Sequence, residues 1–208
     1  MSAVELTPGM VLMPGKLDGA AQEALLAEVM ARLNQSPFYR PTMPRSGTPF
    51  SVEMTNFGPL GWVSDRTGYR YQSHHPVTGE AWPDMPGPLL SLWNEISGCP
   101  VPPEACLVNL YREGARMGLH QDQDEDAPDA PVLSVSLGDS AIYRFGGVNR
   151  GGPTKTVRLA SGDVVLFGGP ARFVFHGIDR VRSGSSSLIE GGGRINLTLR
   201  RVTAIPKT

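Results

Sequence analysis

Hydrophobic residues recur at helical spacing in two segments of the chain. In residues 20–34 the leucine, valine and methionine side chains fall on one face, and Asp18 stands before them in the position of an N-cap. Residues 86–97 carry an apolar stripe that includes Trp93, with a proline near the start and Gly98 at the end. The pattern predicts two helices whose apolar faces, Trp93 included, pack into the core.

From residue 105 onward the spacing changes to short alternating or apolar runs that are broken by Gly, Asp and Pro. Such runs are typical of an antiparallel sandwich or barrel. A Ser- and Gly-rich stretch at residues 183–193 is predicted to be a mobile loop. The chain is therefore predicted to be mainly β with flanking helices (α+β). The predicted strands are residues 107–111, 117–122, 132–137, 141–145, 156–159, 163–167, 172–176 and 194–200.

Between the predicted helices the pattern is irregular. Residues 36–49 are rich in Pro, Ser and Thr and indicate an irregular connection. Residues 50–71 interleave aromatic and polar residues with glycines, which fits either a lid of short strands over a pocket or an ordinary hairpin around a minor core. His74 and His75 are not predicted to share a metal, because adjacent strand residues face opposite ways and Pro76 favours a turn.

The chain has 208 residues, of which 40% are hydrophobic, and this suffices for one sizeable domain or two small ones. We predict effectively one domain, with an N-terminal part at residues 1–104 packed on a core at residues 105–202. The 19 basic residues against 20 acidic ones leave a net charge of −1, so the chain lacks the global basic field of bulk nucleic-acid binders. Any contact with nucleic acid must therefore be local.

The sequence contains two cysteines, Cys99 and Cys106, which are too few for a disulfide framework or a cysteine zinc site. Residues 1–15 lack the basic start and apolar run of a signal peptide. No stretch approaches the ~20 apolar residues that a membrane span needs. We therefore predict a reduced, cytoplasmic protein without a membrane partner.

The candidate chemistry begins with His120 and Asp122. If residues 107–122 form a strand, a hairpin turn at 113–115 and a second strand, these two side chains share a face. A third ligand is available from His176, at the end of the predicted apolar strand 172–176. Two histidines and one carboxylate form the triad that leaves open positions on Fe(II). Taken alone, the His-Gln-Asp tripeptide fits an exposed histidine beside an acidic turn equally well.

The last predicted strand alternates strictly between polar and apolar residues, with Arg194, Asn196 and Arg200 on its polar face. If the apolar face packs on the core, two guanidinium groups point into the barrel, where they are costly unless paired. Because no run of acidic residues occupies other strand positions, a dianionic ligand is a suitable partner for them. A solvent-facing edge strand would show the same alternation. However, it would not account for Asn109 and Tyr111, which add matching polar groups just before the metal strand.

Together these residues resemble the AlkB family of Fe(II)- and 2-oxoglutarate-dependent dioxygenases. The resemblance covers roughly Ser51 to Arg201, and its combination of motifs is far more specific than any one of them. The matches in the N-terminal half imply kinship with the bacterial nucleic-acid repair branch. The matching motifs are His120-Gln-Asp122, His176-Gly, Arg194-Ile-Asn196-Leu-Thr-Leu-Arg200, Asn109-Leu-Tyr111, Phe145-Gly-Gly, Gly162-Asp-Val-Val, Met54-Thr-Asn, Leu60-Gly-Trp62 and Gly68-Tyr69-Arg-Tyr71.

The resemblance implies a double-stranded β-helix (jelly-roll) core with an N-terminal helical and lid extension. In that core His120, Asp122 and His176 would hold Fe(II). Arg194 would be the first candidate to clamp the distal carboxylate of 2-oxoglutarate. The full set implied for this co-substrate is Asn109, Tyr111, Arg194, Asn196 and Arg200.

The resemblance also implies residues that contact the substrate. Arg70 departs from the family pattern, because it puts a charge between two lid tyrosines where an apolar residue is expected, and this leaves the base preference open. The implied substrate-binding residues are Trp62, Tyr69, Arg70, Tyr71, Asp124 and Arg150.

The implied activity is oxidative demethylation of nucleic-acid bases such as 1-methyladenine and 3-methylcytosine. The reaction would consume O2 and 2-oxoglutarate and release formaldehyde, succinate and CO2. The expected substrates are single-stranded or flipped bases of DNA or RNA, because the target base must leave the stack to reach the iron. The protein is expected to be a monomer. Two alternatives stay open from the sequence: a 2-oxoglutarate dioxygenase with a protein or lipid substrate, and a non-catalytic metal-binding module of the cupin type.

Overall fold

The two predicted helices are present in the computed structural model, which describes residues 2–206, so that residue 1 of the predicted N-terminal part lies outside it. Helix α1 spans Gly19–Arg32, and the Asp18 carboxylate caps it by accepting a hydrogen bond from Ala21 N at 2.9 Å. Helix α2 spans Gly87–Ile96 and buries Trp93 completely. Both helix predictions are confirmed. Within the described range, neither helix is long and apolar enough to cross a membrane.

Most strands form where alternating or apolar runs predicted them, with further short strands near the N-terminus, but residues 172–175 of the predicted strand 172–176 are not in a strand. Their bounds are β1 Val4–Thr7, β2 Met10–Met13, β3 Glu53–Phe57, β4 Gly61–Asp65, β5 Gly68–Gln72, β6 Ala105–Tyr111, β7 Met117–His120, β8 Val132–Gly138, β9 Ala141–Phe145, β10 Lys155–Leu159, β11 Val164–Phe167, β12 His176–Val181 and β13 Arg194–Arg200.

Two antiparallel sheets form the body of the protein. The larger has the strand order β1-β2-β11-β8-β13-β6-β3, the smaller has the order β10-β9-β12-β7, and β4 and β5 form a separate hairpin. The order mixes strands that are distant in sequence, as in a jelly roll, and the predicted fold class is confirmed. Strands from the first 104 residues lie at both edges of the larger sheet, so the N-terminal part shares that sheet with the core.

Two apolar cores follow from the alternation of side chains along the strands. The first lies between the helices and one face of the larger sheet and contains Leu25, Leu89 and Leu197. The second lies between the two sheets and contains Leu107 and Phe145. Strand β13 shows the division most clearly, because its apolar residues join the first core and its polar residues face the space between the sheets.

The predicted hairpin of residues 107–122 is wrong. The chain does turn after β6, where Ala115 N donates to Arg112 O at 3.0 Å and Gly114 has a φ of +77°. However, β6 and β7 lie in different sheets. The physical reason is that both edges of β6 are already occupied, by β13 on one side and β3 on the other, so β7 crosses to the smaller sheet.

Two predicted strand ends are also wrong. Strand β7 ends at His120, and Asp122 lies in the irregular segment that follows. His176 begins β12 and does not end a strand. Residues 172–174 are not in a strand, because the short 3-10 helix at Gly169–Ala171 continues into a turn in which Val174 N donates to Ala171 O at 3.1 Å.

Residues 183–193 form an irregular loop, as predicted, and hydrogen bonds join this loop to the turn between β8 and β9. The Asp139 carboxylate accepts hydrogen bonds from Ser185 N at 2.8 Å, Ser186 N at 3.0 Å and Gly193 N at 2.9 Å. These bonds fix both ends of the loop to the turn between β8 and β9.

Candidate metal and co-substrate site

The three predicted metal ligands meet at one point between β7 and β12. These strands pair antiparallel with His176 directly opposite His120, and the two ring centroids are 4.6 Å apart. The Asp122 Oδ1 atom lies 3.7 Å from His120 Nε2 and 4.0 Å from His176 Nε2. Ligand atoms of all three lie within 4.8 Å of one another. Their chemistry and spacing fit a divalent metal with open positions, and iron in particular.

Backbone carbonyls orient both imidazole rings. His120 Nδ1 donates to Gly118 O at 2.9 Å, and His176 Nδ1 donates to Val174 O at 3.1 Å. Because a carbonyl can only accept, each Nδ1 carries the proton and each Nε2 presents its lone pair to the metal position.

The glycine after His176 allows the two strands to come close enough. A Cβ at Gly177 would lie 2.5 Å from Met117 O and 2.8 Å from Gly118 O. Any larger residue would push β12 away from β7 and separate the two histidines. The His176-Gly motif therefore has a direct geometric cause.

The electrostatics keep the ligands in the forms that bind metal. Burial by itself would raise the pKa of Asp122, but the Arg200 guanidinium, with His176 and His120, holds that pKa well below its usual range. Burial, together with the neighbouring His120, lowers the pKa of His176 to about 4. At neutral pH the aspartate is therefore ionised and His176 is neutral.

Arg200 has protein partners, contrary to the expectation that a dianionic ligand pairs both arginines of β13. Its Nε and Nη2 atoms donate to Asp122 Oδ2 at 3.0 and 2.9 Å, and its Nε lies 3.5 Å from Glu125 Oε1. The sequence argument missed these partners because both acids lie in the segment after β7 and not on a strand. This pairing turns Asp122 Oδ1 towards the histidines.

Arg194 lacks such partners. It is 1% exposed, its Nη2 donates to Ser136 Oγ at 3.0 Å, and its Nε and Nη1 atoms have no hydrogen-bond partner within residues 2–206. Its guanidinium carbon lies 5.3 Å from the centroid of the Tyr111 ring. Buried donors without acceptors are costly, and a carboxylate would satisfy both. The residues present therefore fit an acidic co-substrate.

The metal ligands and Arg194 line one cavity of about 570 Å³. Asn196 Nδ2 is already bonded to Ser134 Oγ at 2.7 Å and to Val135 O at 3.1 Å, so this amide is held in place by the protein. All five residues implied for the co-substrate line this cavity: Asn109, Tyr111, Arg194, Asn196 and Arg200.

The hairpin of β4 and β5 covers the mouth of this cavity. Trp62 and Tyr69 stack with ring centroids 5.4 Å apart, and Phe50 meets Trp62 edge-on at 6.4 Å. Trp62 Nε1 donates to Asp124 Oδ2 at 2.8 Å. Of the two interpretations of residues 50–71, the structure favours the lid, because these aromatic rings line the cavity.

The other implied substrate residues divide between the cavity and its surroundings. Arg150 lines the cavity with its guanidinium 5.0 Å from the Phe175 ring. Tyr71 is not among the residues that line the cavity, but its hydroxyl donates to Glu125, which does line it. Arg70 forms an ion pair with Asp65 at 2.8 Å, outside the cavity lining. Strand alternation explains this, because Arg70 faces opposite to its two tyrosine neighbours.

Sequence reasoning missed a buried ion pair that supports the segment after β7, which contains Asp122 and Glu125. Arg172 Nη2 lies 2.9 Å from Glu125 Oε2, both side chains are 2% exposed, and Arg172 Nη1 donates to Asp122 O at 2.6 Å. A charged residue inside the apolar run after Gly169 was the available signal, since such a residue needs a partner. Tyr143 was missed as well, although the alternation of residues 141–145 directs it inward.

The histidines that the sequence argument set aside lie elsewhere. His75 is buried, its Nε2 donates to Pro37 O at 2.9 Å, and its Nδ1 accepts from Val77 N at 3.1 Å. Both ring nitrogens are therefore occupied in packing the loop. Among residues 2–206 the metal-binding cluster contains neither His74 nor His75.

Comparisons with known proteins agree with this geometry. The profile of the 2OG-Fe(II) oxygenase superfamily matches residues 9–200. An alpha-ketoglutarate-dependent dioxygenase AlkB homolog of Caulobacter vibrioides is 59% identical over 198 residues, which cover 94% of this chain and 89% of that protein. AlkB of Escherichia coli is 42% identical over 185 residues, which cover 87% of this chain and 85% of that protein. The solved structure of OsALKBH1 is similar with a TM-score of 0.81 and 31% identity, covering 96% of this chain and 100% of that one.

Proposed function

Because the chain belongs to the AlkB family within the 2OG-Fe(II) oxygenase superfamily, we propose that it is an oxidative demethylase that reverses N-alkyl damage on nucleic-acid bases. The enzyme is a dioxygenase that uses Fe(II), 2-oxoglutarate and O2. The proposed substrates are 1-methyladenine and 3-methylcytosine, and the proposed products are the repaired base, formaldehyde, succinate and CO2.

One observation carries the proposal. A metal triad shares a cavity with a buried arginine that keeps two donors without acceptors among residues 2–206, and stacked aromatic rings cover the mouth of this cavity. Bound iron supplies oxygen activation, which couples the oxidation of 2-oxoglutarate to that of an N-alkyl group. His120, Asp122 and His176 would hold the iron. Arg194 would bind the distal carboxylate of 2-oxoglutarate in the bidentate manner that a guanidinium allows.

The lid supports a flat, cationic substrate. Trp62 and Tyr69 offer aromatic faces for a base, and the Asp124 carboxylate lies beside them at the cavity mouth. The proposed substrates 1-methyladenine and 3-methylcytosine carry a positive charge, and both aromatic faces and a carboxylate attract such a charge. A base can enter this cavity only after it leaves the stack, which favours single strands or flipped bases in DNA or RNA. We propose that the protein acts as a monomer.

The test is a reconstituted reaction. The protein is loaded with Fe(II) without oxygen, then given 2-oxoglutarate, O2 and a single-stranded oligonucleotide that contains 1-methyladenine. We expect formaldehyde and repaired adenine in equal amounts, with succinate. The matched controls are the unmethylated oligonucleotide, which should release no formaldehyde, and His74→Ala, which should remain active.

His120→Ala, Asp122→Ala and His176→Ala should each abolish turnover and weaken iron binding while the fold is retained. Wild-type iron content and activity in any of them would refute the triad. Succinate formation without repair of any methylated base would point to a protein or lipid substrate. Metal binding without 2-oxoglutarate turnover would point to a binding module.

A further inference from the structure

We propose that Tyr143 is a further co-substrate-binding residue, whose hydroxyl donates a hydrogen bond to the same carboxylate of 2-oxoglutarate that Arg194 binds. This assignment rests on the proposed role of Arg194. It deepens the proposed function by giving a second donor to the recognition of the distal carboxylate.

The first support is a buried hydroxyl that finds no hydrogen-bond partner among residues 2–206. Tyr143 lies in the middle of β9 on the inward face, is 6% exposed and lines the cavity. Its hydroxyl has no hydrogen-bond partner within the described residues. Buried hydroxyl groups are normally paired, so an unpaired one that points into a cavity indicates a ligand.

The second support is that other unpaired donors belong to the same cavity as this hydroxyl. Arg194 lines the cavity too, and its Nε and Nη1 atoms have no acceptor among the described residues. With the Tyr143 hydroxyl, three buried donors there lack an acceptor within residues 2–206. A carboxylate has two oxygens with about four lone-pair sites, which suffices for all three. An unpartnered acceptor, Asn109 Oδ1, also lines the cavity, and rotation of its amide would turn it into a further donor.

The third support concerns position and protonation. The Tyr143 ring lies 5.9 Å from the His176 ring and 6.0 Å from the Phe145 ring, so its place beside the metal triad is fixed by packing. A phenol hydroxyl is ordinarily protonated at neutral pH, so Tyr143 can act as a donor.

The test compares two co-substrates in Tyr143→Phe, which keeps the ring and removes only the hydroxyl. Binding to the Fe(II)-loaded protein is measured by calorimetry without oxygen, for 2-oxoglutarate and for 2-oxovalerate, which has the same chain length but lacks the distal carboxylate. We expect Tyr143→Phe to weaken 2-oxoglutarate binding about tenfold, the loss typical of a hydrogen bond to a charged group. Binding of 2-oxovalerate should be unchanged.

Tyr39→Phe is the matched control. The Tyr39 hydroxyl is also buried without a partner among the described residues, but Tyr39 does not line the cavity. Tyr39→Phe should leave 2-oxoglutarate binding unchanged. In the ligand-free protein, both variants should melt at or above the wild-type temperature, since each loses an unpaired buried hydroxyl. Only Tyr143→Phe should show a smaller rise in melting temperature when 2-oxoglutarate is added.

The outcomes separate this assignment from the proposed function. Equal losses for both co-substrates, or no loss for either, would overturn the role of Tyr143 and leave the proposed function standing. A lower melting temperature of ligand-free Tyr143→Phe with unchanged binding would show that the hydroxyl serves only the fold. Failure of the wild-type protein to bind 2-oxoglutarate would overturn both.

Discussion

The two ends of strand β13 carry the same residue in opposite circumstances. Arg194 and Arg200 lie on one face of one strand, and both are almost fully buried. Arg200 is bonded to the Asp122 carboxylate and lies near Glu125, whereas Arg194 keeps two donors without acceptors among the residues described. One end is therefore complete in the protein alone, and the other is not.

A buried arginine that is paired within the protein differs in its expected role from one that keeps free donors. A paired guanidinium fixes its partner, and here Arg200 keeps the metal ligand Asp122 ionised and oriented. A guanidinium with unpaired donors destabilises the ligand-free protein, and a bound carboxylate relieves this loss by accepting from those donors. A ligand without a carboxylate would leave the donors unpaired, so the site is specific for a carboxylate. The comparison therefore favours structural support as the role of Arg200, and it favours the ligand recognition that we propose for Arg194.

The largest effect should come from removing the paired arginine. In Arg200→Met the Asp122 carboxylate is left buried without its guanidinium, and we expect the free energy of unfolding of the metal-free protein to fall by about 3–5 kcal/mol. Urea denaturation measures this loss. Arg194→Met is the matched control and should be neutral or stabilising, because it removes unmet donors. Equal losses in the two variants would erase the distinction between the two ends.

The same variant gives a pH dependence with a definite sign. The pKa of Asp122 is depressed in the folded protein, so its stabilising contribution is present above the ordinary value of 3.8 and is lost as the pH falls below it. The stability difference between wild type and Arg200→Met should therefore narrow as the pH falls below that value. A difference that stays constant would mean that the ion pair does not carry the effect.

The next effect concerns the unpaired end. Arg194→Lys should weaken 2-oxoglutarate binding by about 100-fold, because an ammonium cannot reproduce two parallel hydrogen bonds to a carboxylate. The apparent KM for 2-oxoglutarate measures this, while the stability of the ligand-free protein should change little. An unchanged requirement for 2-oxoglutarate would show that this face of β13 does not bind the co-substrate.

A smaller effect is expected from Asp124 at the cavity mouth. Like Arg194, and unlike Arg200, Asp124 has no charged partner among the described residues. Its carboxylate accepts a hydrogen bond from Trp62 Nε1 and forms no ion pair with any residue in the range 2–206. Asp124→Asn nearly preserves shape and removes the charge, so kcat/KM should fall about tenfold for 1-methyladenine and 3-methylcytosine and less for neutral 1-methylguanine. Equal losses on all three bases would assign Asp124 to the scaffold.

The smallest effect should come from the hydrogen bond between Arg194 and Ser136. Ser136→Ala removes the acceptor of Arg194 Nη2, and we expect about a fivefold rise in the KM for 2-oxoglutarate, as for one ordinary hydrogen bond. Ser134→Ala, which removes a partner of the Asn196 amide on the same strand, tests whether the effect is specific to Arg194. Identical changes in both variants would indicate a general loosening of β8.

Local patterns along the chain determined much of this molecule. The helical stripes, the cap at Asp18 and the strict alternation of β13 follow from neighbouring residues, because each depends on the period of one element. The likeness of the His120, Asp122 and His176 motifs to the AlkB family led to the metal and the co-substrate. These inferences needed no knowledge of which strands lie side by side.

The pairing of the strands and the contacts between distant charges became known from the three-dimensional fold. The sequence suggested a hairpin for residues 107–122, but β6 was already flanked on both edges, so β7 entered the other sheet. Alternation put Arg194 and Arg200 on one face and could not tell them apart, because the acids that pair with Arg200 lie in the segment after β7. Pairing between distant segments depends on the whole packed chain, since it is set by which edges and which acceptors remain free once the rest has folded. For that reason the sequence identified the candidate residues of the site. The fold then distinguished Arg200, which is paired with Asp122, from Arg194, for which we propose a bound carboxylate.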